Sequence, residues 1–186
     1  FNSFKVASIV TLGSILITLP LAWLTWRFRF RGKGLAEVLL LTPLILPPFV
    51  GALGVFQLFG HYGVVNTLGV YLGLWDVAAS PDWLGRYRLA LVCVIEVLGL
   101  YPILYLTLAA SFSRLDFSLI EAARSAGAGR WSVIRRIALP LVSPGLFAGA
   151  VVIFVWSFTE LGTPLMLGFD RITAVQIFSG LSEWQT

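Results

Sequence analysis

The sequence predicts an all-α fold, a polytopic bundle of transmembrane helices, and three observations carry that expectation. The chain of 186 residues is 58% apolar and only 12% charged. Its mean hydropathy is +0.90. Four stretches reach the roughly 20 apolar residues that a helix needs to cross a bilayer. An ordinary soluble domain carries about 25% charged residues, so this chain has too little charge to cover a water-facing surface. Disorder is excluded by the same composition, since disordered chains are poor in apolar and aromatic residues.

The first span is expected over about 6–26, followed by Arg27-Phe28-Arg29-Phe30-Arg31-Gly32-Lys33, a strongly basic run. The second is expected over about 35–60. It contains Pro43, Pro47 and Pro48, which remove backbone donors and clash with the preceding turn, so it should kink or break near its middle. Residues 61–88 read as a polar and aromatic connection lying along the membrane surface or dipping into it. The third span, about 89–110, holds Glu96, Gly99 and Pro102. Residues 111–143 form a long polar connection with helical character. The fourth span is expected over about 144–162, with Ser143 as its cap and Pro144 in its first turn.

Charge sets the topology. The connections 27–33 and 111–143 lie on one side of a four-span chain and carry nine of the 13 Lys and Arg. Cytoplasmic loops are the ones enriched in these residues, so both ends of the chain face away from the cytoplasm. The basic runs orient the protein; no basic-and-aromatic module for nucleic acid accompanies them. One cysteine, Cys93, and one histidine, His61, cannot build a disulfide framework or a Cys/His metal centre.

The most informative segment is 118–140. Ser118 and Glu121 have capping-box spacing, Ala122, Ala123 and Ala126 favour helix, and Gly127 and Gly129 allow a sharp turn. A second helix should run from about Arg130 to Leu139 and stop at Pro140. On it Trp131, Ile134, Ile137 and Ala138 share one face, and Arg135 and Arg136 lie outside it. Such a two-helix elbow suits docking.

The spacing Glu121-Ala122-Ala123, three residues, Gly127, nine residues, Ile137, one residue, Leu139-Pro140 resembles the E-A-A loop of binding-protein-dependent ABC importer permeases. Asn2-Ser3, Leu44-Ile45-Leu46-Pro47-Pro48 and Glu160-Leu161-Gly162-Thr163-Pro164 resemble the iron(III) branch of that family. The resemblance implies a type I importer permease fold, here a single permease domain over 1–186 that lacks a further span of the family core. It implies a bacterial cytoplasmic (inner) membrane location. Glu121, Ala122, Ala123 and Gly127 would form the coupling contact with an ATP-binding subunit, while Ile137, Leu139 and Pro140 would fix the second helix. The implied partners are a dimer of ATP-binding subunits, an extracytoplasmic solute-binding protein and a second permease unit, identical or fused. ATP would be used by the partner, with no cofactor on this chain.

Glu96 and Glu160 are candidate pathway residues, because an ionisable group within a span normally faces the bundle interior or a water-filled cavity. Each could instead bond to a neighbouring helix. The bend at Pro47 and Pro48 either unwinds to expose carbonyls to the pathway, as in transporters, or is a static kink. No Gly-x4-Gly-Lys-Ser/Thr phosphate loop occurs, and no nucleophile–base set can be assembled. The expected function is therefore transport without an ATPase site. Iron(III) is the substrate the resemblance suggests; thiamine, polyamine, phosphonate and oxyanion permeases share much of the pattern. A secondary transporter with broken helices and buried acids is the rival from another class.

Overall fold

The computed structural model describes residues 1–28 and 30–183; Arg29 of the basic run and residues 184–186 lie outside the described residues. Ten α-helices are present among the described residues: α1 (Asn2–Arg27), α2 (Lys33–Leu41), α3 (Pro48–Phe59), α4 (Val64–Tyr71), α5 (Trp83–Ser113), α6 (Phe117–Ser125), α7 (Arg130–Val133), α8 (Leu139–Thr159), α9 (Gly162–Met166) and α10 (Thr173–Glu183). No strand occurs among them. This all-helical outcome follows from the solvent: hydrocarbon offers no partner to a free N–H or C=O, so a single segment crossing it must satisfy its own backbone. Four segments are long and apolar enough to cross a membrane: Asn2–Arg27, Pro48–Tyr71, Tyr87–Ser113 and Trp131–Thr159.

The expected break near the middle of the second stretch is present, and the bounds of the third and fourth helices differ from the expected ones. The second apolar stretch is not one helix. It ends as α2 at Leu41, passes through a 3₁₀ turn at Thr42–Ile45, and restarts at Pro48, because the prolines there cannot donate to a helical ladder. The third helix begins at Trp83, with a non-helical Tyr87 (φ −116°, ψ 18°) marking a kink before the long apolar run. The fourth begins well before Pro144. A π-turn over Ile134–Ala138 joins α7 to α8 without interruption, so neither Pro140 nor Pro144 ends or starts a helix. In that π-turn the Leu139 N–H reaches back five residues to the Ile134 carbonyl. The ladder has therefore already been widened where Pro140, which has no N–H, enters it. Ser143 is inside the helix, its hydroxyl donating to the Pro140 carbonyl at 2.8 Å.

The core is a three-helix packing of α1, α5 and α8. Val6 and Val10 of α1, Leu100, Leu104 and Leu108 of α5, and Val142 and Ile153 of α8 are buried in it. Close approach of α8 to α5 depends on Gly145 and Gly149. A Cβ on Gly149 would lie 2.5 Å from Leu104 Cδ1 and from Thr107 Oγ1, and one on Gly145 would strike the Ser111 hydroxyl and sit 2.9 Å from the Thr107 carbonyl. This i, i+4 pair of glycines is the small-residue spacing that brings membrane helices together. Between spans, Tyr105 Oη donates to Thr25 Oγ1 (3.1 Å) and Tyr101 Oη donates to the Leu40 carbonyl (2.8 Å).

The outer connection, expected to lie along the membrane, folds around one buried amide. Asn66 donates to the carbonyls of Gly60, His61 and Pro81 at 3.1–3.3 Å and accepts from Trp83 Nε1 at 2.9 Å. At the same end Ser3 accepts from the Thr173 N–H at 2.9 Å, tying the start of α10 to the start of α1.

Glu96 is fully buried between α5 and α8, where the Ser157 hydroxyl bonds its Oε2. Two expected outcomes follow. Gly149→Leu should force α8 off α5 and lower the melting temperature of the purified full-length protein, with overpacking of this kind costing about 1–3 kcal/mol. Gly54→Ala, whose added methyl meets nothing within 4 Å, should leave it unchanged. Ser157→Ala should strand the Glu96 carboxyl at a cost of about 1–3 kcal/mol, and the Glu96→Leu/Ser157→Ala pair should be less destabilised than the two single losses together. Additive losses would show that the two side chains do not interact.

Candidate functional site

Two places in the structure carry the residues singled out by the sequence. The first is the elbow between α5 and α8. Its opening helix, α6, is capped not by Ser118, as the capping-box spacing suggested, but by Asp116, whose Oδ1 accepts from the Ser118 N–H at 2.9 Å. Asp116 precedes the helix by one residue and so reaches the second free N–H of the first turn, where an aspartate is among the best caps. That N–H, with the Ser118 hydroxyl, holds the Asp116 carboxyl below its ordinary range, so the cap is kept at neutral pH and lost as acid protonates it.

The turn after α6 needs glycine at one position. Gly127 has φ +84°. Its N–H donates to the Arg124 carbonyl (2.9 Å) and the Ala128 N–H donates to the Ala123 carbonyl (2.9 Å), the paired bonds of a Schellman ending. Gly129 is not in the left-handed region, so only the first of the two expected turn glycines has that role. Glu121 and Ala122 are exposed, Ala123 is half-buried, and the neighbouring Leu119 is exposed as well. On the second helix Val133 and Ala138 are buried while Ile134 and Ile137 are only partly so. Trp131, expected to share one face with Ile134, Ile137 and Ala138, is 71% exposed and so parts from them. The π-turn is the reason: it changes the angular step per residue, so a face drawn at 100° per residue does not persist through 134–138. Leu139 and Pro140 begin α8 itself, and Ile137 lies in the π-turn directly before them.

The elbow therefore exposes the apolar side chains Leu119, Ala122 and Trp131. Its second helix is continuous with a membrane-crossing one.

The second place lies opposite the middle of α5, where the sequence's pathway candidates partly converge. Pro47 precedes α3 and Pro48 occupies its first turn. Gly99 of α5 admits them: a Cβ there would sit 3.2 Å from Pro48 Cγ. Gly162 likewise faces Phe49, at 3.0 Å from its Cβ, so the break before α3 and the corner after α8 are neighbours. Glu160 forms that corner. Its Oε1 accepts from the N–H groups of Gly162 (3.1 Å) and Thr163 (3.3 Å), which caps α9. The structure thus brings Pro48 and Glu160 into one region. Glu96 lies in the adjoining α5–α8 contact, bonded to Ser157 one turn before Glu160 and near enough for the two carboxyl groups to interact. Irregular backbone at membrane depth is tolerated where it is buried in protein or lines a cavity; the corner at 160–162 is partly buried, whereas residues 44–47 of the break are exposed on this chain.

Sequence reasoning missed the Asp116 cap, the π-turn and the glycine pair 145/149. A G-x-x-x-G spacing was there to read in the last case, whereas Gly51 and Gly54 of α3 lack it. The π-turn has no comparable signature.

Residues 10–186 match the family described as the binding-protein-dependent transport system inner membrane component. The chain is 31% identical over 180 residues to a probable molybdenum ABC transporter permease protein of Haloferax volcanii, covering 95% of this chain and 61% of that protein. It is 33% identical over 164 residues to the molybdenum transport system permease protein of Escherichia coli K12, covering 88% of this chain and 68% of that protein. It is 29% identical over 180 residues to a ferric transport system permease protein of Actinobacillus pleuropneumoniae, covering 95% of this chain but 25% of that one. With a family match over nearly its whole length and four segments fit to cross a bilayer, the chain belongs to the inner-membrane components of binding-protein-dependent transport systems, the multi-pass permeases of ABC importers.

Proposed function

We propose that the intact protein is the membrane-spanning permease of an ATP-driven importer, with residues 1–186 forming one permease domain. The observation that carries this reading is the elbow: Glu121, Ala122 and the left-handed Gly127 on an exposed two-helix unit whose second helix runs unbroken into α8. Glu121, Ala122, Ala123 and Gly127 make the contact with a separate ATP-binding subunit, and Ile137, Leu139 and Pro140 fasten the second helix to the bundle. ATP is bound and used by that partner, and a solute-binding protein delivers cargo at the opposite face. A second permease unit completes the route. ATP shifts a two-state equilibrium between inward- and outward-facing forms because its binding favours one of them. The break at Pro47 and Pro48 and the corner at Glu160 line the route.

The cargo is an oxyanion or iron(III). The relatives named for molybdenum match at 31% and 33% identity and over most of their own length, and molybdenum travels in water as an oxyanion. The ferric relative matches over a quarter of its length. An oxyanion is therefore the first cargo to test and iron(III) the second.

Proteoliposomes holding the full-length permease with its ATP-binding subunit and binding protein should take up labelled molybdate only when ATP is present. Uptake of iron(III) in its place would move the assignment to the ferric branch, and ATP-independent uptake of either would favour a secondary transporter. Gly127→Pro removes a donor and cannot adopt φ +84°, so it should lower ATP-driven uptake at least tenfold while insertion into the membrane persists. Gly129→Ala, with open space around the new methyl, should transport normally. Equal uptake by the two variants would remove the elbow from the mechanism.

A further inference from the structure

Two cavities meet beneath the elbow. The outer one, about 490 Å³, opens between the end of α1 and α6 and is lined by Arg27, Arg124 and Glu121 together with Trp23, Phe28 and Ile134. The inner one, about 180 Å³, is bounded by Leu19, Phe112, Ala138, Leu139 and Val142. They share Trp23 and Ile134 as a common wall. Leu19 precedes Arg27 by eight residues of helix, roughly 12 Å at 1.5 Å per residue, so the apolar chamber lies on the membrane side of the charged one.

The charged chamber carries two guanidinium groups against one carboxylate. Among the described residues, neither Arg27 nor Arg124 is in a salt bridge; Arg27 lies over the Phe28 ring, 5.9 Å from its centroid. Trp23, Trp26 and Phe112 form an aromatic cluster beside it, with centroids 5.2–5.9 Å apart. Rings of this kind settle at the headgroup level of a bilayer. A cationic mouth at that level, opening into a dry slot that runs toward the membrane centre, is complementary to an amphiphile with its phosphate outward and its chain inward.

We propose that this double cavity binds one anionic phospholipid of the cytoplasmic leaflet. Arg27 and Arg124 take the phosphate through charge-assisted hydrogen bonds, Trp23 covers the glycerol, and one acyl chain enters the slot between Leu19, Phe112 and Leu139. The site rests on the cytoplasmic placement of the elbow, but not on which solute the protein carries. Because Ile134 and Ala138 of the π-turn wall the slot, the lipid wedges between α1 and the segment that joins the elbow to α8.

The test is native mass spectrometry of the delipidated full-length permease titrated with phosphatidylglycerol, phosphatidylcholine and glycerol phosphate. The wild type should hold one phosphatidylglycerol at least tenfold more tightly than phosphatidylcholine. Arg27→Gln/Arg124→Gln should reduce that preference about tenfold. Arg31→Gln/Arg135→Gln, which removes the same charge outside the cavity, should retain it. Leu19→Trp, which fills the slot, should weaken both lipids and leave glycerol phosphate unaffected. Should the glutamine pair fail to fold, Arg27→Lys/Arg124→Lys keeps the charge and should keep a reduced preference. Equal wild-type affinity for the two lipids, or equal loss in the control pair, overturns the site. Glycerol phosphate bound as tightly as phosphatidylglycerol would leave a soluble phosphate as the ligand and overturn the lipid.

Discussion

Hydrocarbon cannot hydrogen-bond to a peptide group, and most of this structure follows from how the chain meets that constraint. Across most of the membrane it does so with unbroken helix. Where helix fails, at the prolines of 42–48 and at the Glu160 corner, the freed groups are taken up locally: the Leu46 N–H bonds the Pro43 carbonyl at 3.3 Å, and the Glu160 carboxylate caps α9. The two irregular stretches are linked through the start of α3, where Pro48 packs on Gly99 and Phe49 on Gly162. Two pairs of polar residues inside the bundle bond across helices for the same reason, Glu96 with Ser157 and Tyr105 with Thr25.

The π-turn at Ile134–Ala138 is the second structural decision. A proline at 140 would ordinarily end the helix, leaving a hinge between elbow and span. Widening the ladder just before it keeps α7 and α8 as one rod, with Trp131 exposed at one end and Ser157 in the bundle core at the other. Glycines do complementary work along this rod. Gly127 makes the turn into it, and near its middle Gly145 with Gly149 let it lie against α5. A flexible connection at 134–140 would absorb a push at the elbow; the proposed coupling needs the continuous one seen here.

Much of this was legible in the sequence, because the signals involved are local. Hydropathy alone showed the all-helical membrane bundle, and the E-A-A spacing identified the elbow and its turn. What escaped were features set by packing or by a small excess over local preference. Asp116 and Ser118 are both competent caps, and the choice between them depends on which residue has left the helix. Pro140 and Pro144 both look like helix boundaries, and only the π-turn, which no composition announces, makes them interior. Glu96 and Glu160 look alike as acids within spans, yet one joins two long helices and the other caps a short one.

The elbow is proposed as the surface on which an ATP-binding subunit acts. Photo-cross-linking from a benzophenone side chain placed at Trp131, 71% exposed on the elbow, and separately at Phe147, 72% exposed on α8, addresses it directly in membranes containing the whole transporter. An adduct with the ATP-binding subunit should form from position 131 and none with that subunit from position 147. No adduct from 131, or equal adducts from both positions, would contradict it.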